Sequence, residues 1–281
     1  MAGDTPLMSQ YKEIKEQNKD NLLFFRLGDF YEMFFDDAVI ASKELGLTLT
    51  SRNREKDQDV PLAGVPYHSV SSYIAKLVNK GYKVAICEQV EDPKSAKGIV
   101  KREVVRVITP GTVIDTDYLD EKSNNYLMGI KIDGNKGAIA YVDITTGEFK
   151  ASELEGEDII FKLLGEINKT APKEILLEER TYDKYYEELK KHNTLSDVNI
   201  SKITEKRKCE DYLKDYFKVI SLESFGLKDK KMAVTISATV LNYVAELQKG
   251  KELPVNSILY TSSENIMELN ITTQKNLDIV D

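Results

Sequence analysis

The side chains able to do chemistry in this sequence are few, and their spacing suits binding better than catalysis. His68 and His192 are the only histidines, so a Ser/His or Cys/His nucleophilic pair has little to draw on. Cys87 and Cys209 lie far apart and form no CxxC or Cys/His cluster, which makes them buried thiols of a reducing compartment. A GxxxxGK[ST] phosphate loop is missing: Gly250-Lys251 is followed by Glu252, and Ala245 stands where the first glycine belongs. No ATP hydrolysis is expected from this chain. Asp29 and Glu32 make a D-x-x-E, a good helix N-cap with an acid in the first turn, and Phe30 between them reads as a core residue, as most phenylalanines are. Arg52, Arg54 and Lys56 form a loop of cations after a strand, suited to phosphate contact and equally to plain solvation.

The elements that must position these residues fit two domains of ordinary size. The 281 residues are 41% hydrophobic and 31% charged, the composition of a folded chain with a well-charged surface. No apolar run approaches the roughly 20 residues of a membrane helix, and Met1-Ala2-Gly3-Asp4 is no secretory leader; a cytoplasmic protein is expected. The net charge of -8 argues mildly against phosphate binding, but residues 1 to 115 hold 16 basic against 17 acidic side chains, so the acidity is C-terminal.

Thr5-Pro6 opens a helix to about Gln17, and Leu22–Leu27 is a buried strand ended by Gly28. A second helix is expected from there to Leu45, with Tyr31, Phe34, Phe35, Ala38, Ala41 and Leu45 at helical spacing and Gly46 as left-handed cap. Leu47 to Thr50 reads as strand, Ser51 to Asp59 as a charged loop and Pro61 to Val65 as extended. A third helix opens at Ser69, and strands over Lys83 to Val90 and Arg102 to Thr109 complete a small mixed-sheet α/β domain over 1–113. Residues 114–125 read as a linker. The domain over 126–250 begins with three strands joined by Asp133-Gly134-Asn135 and Thr145-Thr146-Gly147, followed by helices near Asp158, Tyr182, Cys209 and Met232 and a strand at Lys173 to Leu177, an order that resembles a ribonuclease-H-like fold. Such a fold can carry a metal-binding aspartate on its first strands, but hydrolysis needs several carboxylates converging on Mg²⁺. No convincing set accompanies Asp143, which instead fits the shaping of the Thr145-Thr146-Gly147 turn. Residues 251–281 read as a second linker and the start of a truncated third element.

Four stretches in order carry a resemblance: Gly28-Asp29-Phe30-Tyr31-Glu32-Met33-Phe34, Ala63-Gly64-Val65-Pro66-Tyr67-His68, Ala85-Ile86-Cys87-Glu88-Gln89 and Arg106-Val107-Ile108-Thr109-Pro110-Gly111-Thr112. Together they resemble the N-terminal domain of the MutS family of DNA mismatch-repair proteins. The likeness continues through a connector-like second domain to Asn270-Ile271-Thr272-Thr273-Gln274-Lys275-Asn276-Leu277, which looks like the opening of the family's helical core.

The resemblance implies a DNA mismatch probe in the Phe-x-Glu of Phe30 and Glu32. An aromatic wedge in the minor groove unstacks a base step at a cost of a few kcal/mol, less where the base is already mispaired. Discrimination then comes from deformability. A carboxylate beside DNA is unfavourable unless it bonds a displaced base, so Glu32 would penalise a perfect duplex. Residues two apart lie about 200° apart on a helix but on one side of a strand, so a shared role for Phe30 and Glu32 requires that the helix begin at or after them. Among backbone contacts Arg52 ranks first, where the family commonly has a basic residue near DNA; Arg54, Lys56 and His68 follow, with Lys76, Lys80, Lys94, Lys97, Lys101 and Arg102 as further candidates. The resemblance also implies a full-length homodimer that uses ATP and Mg²⁺ outside this chain, a non-catalytic connector, and docking of a MutL-type partner. Two rivals stay open: a Mg²⁺-dependent nuclease centred on Asp143, and a protein-docking module without DNA binding.

Overall fold

The computed structural model describes residues 5–52, 60–91, 98–113, 124–249 and 251–262. They form two compact units, one from the described residues up to 113 together with 245–249 and 251, the other from 124–244 and 252–262, each built on its own six-stranded sheet.

The first unit opens with α1 (Pro6–Glu16), where Pro6 occupies the first turn and the Thr5 hydroxyl accepts from the Met8 amide. The strands β1 (Leu22–Leu27) and β2 (Phe30–Phe34) make a hairpin across Gly28-Asp29, with Gly28 at φ +58°, as a two-residue turn with glycine first requires. Then come α2 (Phe35–Leu45), β3 (Thr50–Arg52), β4 (Val60–Pro66), a 3-10 turn over Tyr67–Ser69, α3 (Val70–Asn79), β5 (Val84–Gln89) and β6 (Arg102–Ile108). The sheet order is β3-β4-β2-β1-β5-β6; β1 and β5 run parallel and the other neighbours antiparallel.

Alternation along the strands splits the apolar residues between two faces. Leu22, Phe24, Tyr31, Met33, Ala63 and Val65 pack with Ala38 and Ala41 of α2 and Ile74, Leu77 and Val78 of α3. On the opposite face, Leu23, Phe25 and Phe34 pack with Met8 and Tyr11 of α1. Tyr11 meets the rings of Phe25 and Phe34 edge-on at 5.4 and 4.9 Å. Its hydroxyl reaches Asp37, which also accepts from the Leu23 amide (3.0 Å) and pairs with Lys15 (2.9 Å). A buried carboxylate is thereby fully hydrogen-bonded.

Two sequence expectations fail here. The helix expected directly after Gly28 starts only at Phe35, because residues 30 to 34 are held in ladders with β1 and β4; Asp29 and Glu32 therefore cap no helix. The expected Leu47–Thr50 strand is displaced to Thr50–Arg52. Leu47 is tied back to the end of α2, its amide donating to the Ser42 carbonyl (3.1 Å) and its carbonyl accepting from the Ser42 hydroxyl (2.6 Å), beside the left-handed Gly46.

The second unit is a meander of β7 (Leu127–Asp133), β8 (Lys136–Asp143) and β9 (Glu148–Glu155), then α4 (Ile159–Thr170), β10 (Glu174–Glu178), α5 (Glu179–Lys190), β11 (Asn199–Ile203), α6 (Cys209–Phe217), α7 (Lys231–Leu247) and the short β12 (Leu259–Tyr260). The order β11-β10-β7-β8-β9-β12, with β10 parallel to β7 and β11 parallel to β10, is ribonuclease-H-like, and the fold as a whole is mixed α/β as expected. Helices α4 and α5 cover one face through Ile159, Leu163, Ile167 and Leu189. On β7, Gly129 admits α7, since a Cβ there would lie 2.2 Å from Val240. The Glu153 carboxylate accepts from the amides of Met232 and Ala233, both at 3.0 Å, capping α7 from a neighbouring strand. Sequence reading missed β11, and β12 pairs with β9 within the stretch read as a linker and the start of a third element.

Candidate nucleic-acid interface

Strand β2 turns Phe30, Glu32 and Phe34 to one face of the first sheet and Tyr31 and Met33 to the other. Phe34, Tyr31 and Met33 are buried; Phe30 is 47% exposed. The difference is position along the strand. Helix α1 covers the end of this face that holds Phe34, Leu23 and Phe25, while Phe30 sits at the hairpin end, paired with Leu27 and Pro66. Glu32, half-buried, pairs with Phe25 on one side and Gly64 on the other. A Cβ on Gly64 would lie 3.6 Å from Glu32 Cγ and 3.9 Å from the Phe30 ring, so the glycine keeps the floor beside both side chains low. Phe30 and Glu32 thus share one face of an extended strand, the arrangement that joint action on one base demands.

The hairpin end is tied to its surroundings by neighbours that sequence reading did not single out. The Tyr67 amide donates to the Asp29 carbonyl (2.9 Å). Arg26 donates from Nε to the Gly28 carbonyl (2.6 Å) and lies 4.0 Å over the Tyr67 ring. Tyr31 donates to Glu88, which also lies 3.8 Å from the Arg26 guanidinium. Burial, and then the Glu88 carboxylate, push the Tyr31 hydroxyl pKa well above the usual tyrosine range, so Tyr31 stays a donor at neutral pH. The visible signal was the Tyr67 of the Ala63–His68 stretch, close in sequence to a residue paired with Phe30.

His68 is exposed in the 3-10 turn, edge-on to Tyr67 at 5.8 Å, and belongs to this end of the sheet. Arg52 does not. It pairs with Val60 at the far end of β4 from Pro66, about 20 Å away at ~3.3 Å per residue. Arg54, Lys56, Lys94 and Lys97 lie outside the described residues. Lys80 pairs with Glu44 and Lys101 with Glu103. Arg102 is no surface cation at all: 7% exposed, it donates to the carbonyls of Arg26 (2.7 Å) and Val100 (2.9 Å) and to Gln10 (3.0 Å), and lies over the Phe25 ring.

In the second unit Asp143 is buried and both of its carboxylate oxygens accept hydrogen bonds. One takes the Thr145 amide (2.8 Å) and hydroxyl (2.5 Å), the other the Asn125 amide (3.0 Å). This is the turn-shaping role read from sequence. Among the described residues no three His, Cys, Asp or Glu side chains converge as metal ligands, and no described helix is long and apolar enough to cross a membrane.

These features define a two-domain α/β protein in which a small mixed-sheet domain presents an aromatic residue and a carboxylate from a hairpin strand, followed by a ribonuclease-H-like domain. Residues 5–117 match MutS domain I and residues 125–258 match MutS domain II. The chain belongs to the MutS family. It is 61% identical over its whole length to the DNA mismatch repair protein MutS of Fusobacterium nucleatum, 44% identical over 99% of its length to that of Syntrophomonas wolfei, and 46% identical over its whole length to that of Acetivibrio thermocellus. It spans about a third of the length of each, 32%, 33% and 32% respectively.

Proposed function

We propose that this chain is the mismatch-sensing and connecting portion of a DNA mismatch-repair protein, in which Phe30 wedges into the minor groove at a mispaired or unpaired base and Glu32 accepts a hydrogen bond from the displaced base. The observation that carries the reading is the exposure of Phe30 on a strand whose neighbouring aromatic residues are buried. A ring kept half in water is held ready for contact with something else. Arg52, Arg54, Lys56 and His68 contact the phosphate backbone. Residues 1–113 act as the sensing domain and 126–250 as the connector, with 114–125 and 251–281 as linking segments, the last leading into a helical core. The complete protein works as a cytoplasmic homodimer, its ATP- and Mg²⁺-dependent steps lie elsewhere in it, and the connector docks a MutL-type partner. This chain itself catalyses no reaction; the full use of both Asp143 oxygens within the protein speaks against the nuclease reading.

The test is a titration of the full-length protein with mismatched and matched duplexes across a range of salt. Phe30→Ala abolishes the preference for the mismatch and keeps the salt-dependent binding to both, whereas Glu32→Ala tightens binding to the matched duplex. An unchanged preference in Phe30→Ala refutes the wedge.

A further inference from the structure

Phe30 is the last residue paired on either side of β2, opposite Leu27 of β1 and Pro66 of β4. Strand ends are where ladders fray, yet a wedge must transmit force to its scaffold without yielding. The side chain that gathers the surrounding segments is Arg26. Its Nε holds the Gly28 carbonyl at 2.6 Å, its guanidinium carbon lies 4.0 Å over the Tyr67 ring and 5.3 Å over that of Tyr31, and its Nη1 is 3.8 Å from Glu88 on β5. The Tyr67 amide, bonded to the Asp29 carbonyl, closes the circuit on the other half of the turn. Arg26 pairs with Tyr31 in the β1–β2 ladder, so alternation sends its side chain to the face opposite Phe30. It therefore acts on the wedge through the backbone of the turn.

We infer that Arg26 is a positioning residue for the Phe30 wedge: by stacking on Tyr67 while bonding the Gly28 carbonyl, it locks the hairpin end so that the ring enters the base stack without the strand end giving way. The inference rests on the wedge reading proposed above. Planarity is essential to it, because a lysine keeps the charge but offers neither the flat stacking surface nor a fork of donors fixed in direction.

The test uses the full-length protein, with affinities for mismatched and matched duplexes measured for R26K, Y67A, Y67F, F30A and the R26K/F30A pair, and folding checked by thermal unfolding. R26K and Y67A each lower the mismatch-to-match affinity ratio about tenfold, the scale of one stacked cation, and leave matched-duplex affinity unchanged; Y67F, which keeps the ring, retains the ratio. In the F30A background R26K causes no further loss, because a positioner has nothing left to position. If F30A abolishes the preference while R26K and Y67A leave it intact, the positioning role is overturned and the wedge stands. Additive losses in the pair, or an equal drop on both duplexes, overturn the positioning role as well. If F30A itself leaves the ratio unchanged, the wedge and its positioner fall together. Should R26K unfold, the comparison of Y67A with Y67F decides the matter alone.

Discussion

Phe30 and Phe34 are the same residue type on the same face of the same strand, four positions apart, and their truncations should do opposite things. Phe34 is fully buried and Phe30 is 47% exposed. A phenylalanine side chain presents ~200 Å², so roughly half of that, ~100 Å², is withdrawn from water at Phe30, worth at most ~2.5 kcal/mol at ~25 cal/mol per Å². Phe30→Ala leaves no closed cavity, and ~1 kcal/mol of lost stability is expected. Phe34→Ala opens a hole between Tyr11, Phe25 and α1, at ~4 kcal/mol. On DNA the order reverses. Base–aromatic stacking contributes ~2 kcal/mol, so Phe30→Ala weakens mismatch binding roughly 30-fold, while the folded fraction of Phe34→Ala discriminates normally. Urea unfolding of each variant, with fluorescence anisotropy on mismatched and matched duplexes, reads both quantities. A Phe30→Ala variant destabilised as much as Phe34→Ala, or discriminating like the parent protein, would refute the reasoning.

The other predictions concern stability and reactivity. Asp143→Ala removes the acceptor for the Asn125 and Thr145 amides and costs ~3 kcal/mol in denaturant unfolding, with no metal-dependent cleavage of nucleic acid gained or lost. Gly147→Ala forces a side chain onto a residue at φ +78° with its Cβ 2.2 Å from the Pro254 carbonyl oxygen, and should lower stability by ~2 kcal/mol or more. Burial pushes the Cys87 thiol up to about 12 and also raises that of Cys209, so native protein at pH 8 should react slowly with thiol reagents that label the unfolded chain at once. Because the folded state keeps a proton that the unfolded thiol loses near pH ~9, stability declines as pH rises above that value; unfolding midpoints between pH 7 and 10 check the sign.

Sequence patterning foretold most of the elements and misplaced the start of α2 for an identifiable reason. Tyr31, Phe34, Phe35, Ala38 and Ala41 fit a helical stripe, while Tyr31 and Met33 on one face, with Phe30, Glu32 and Phe34 on the other, fit a strand equally well. Local preference could not choose. Long-range ladders to β1 and β4 did, and they made the Asp29–Glu32 capping pattern irrelevant. β11, with its sequence Asn199-Ile200-Ser201-Lys202-Ile203, escaped notice because an edge strand needs few apolar residues. The candidate pair Phe30 and Glu32 was legible only through family resemblance, since a lone phenylalanine does not announce which end of a face its helix will cover. Arg102 reads in sequence like any surface cation; its burial over Phe25 follows from where α1 lies, which no local pattern states.

The two-residue turn at Gly28-Asp29 leaves β2 no slack. Adding or deleting a single residue there would trade the strand's two sides, burying the aromatic tip and turning Tyr31 and Met33 outward. Side chains at 30 and 32 can therefore be exchanged while the spacing from Leu27 to Phe34 is kept, because length variation at this spot would dismantle the domain interior.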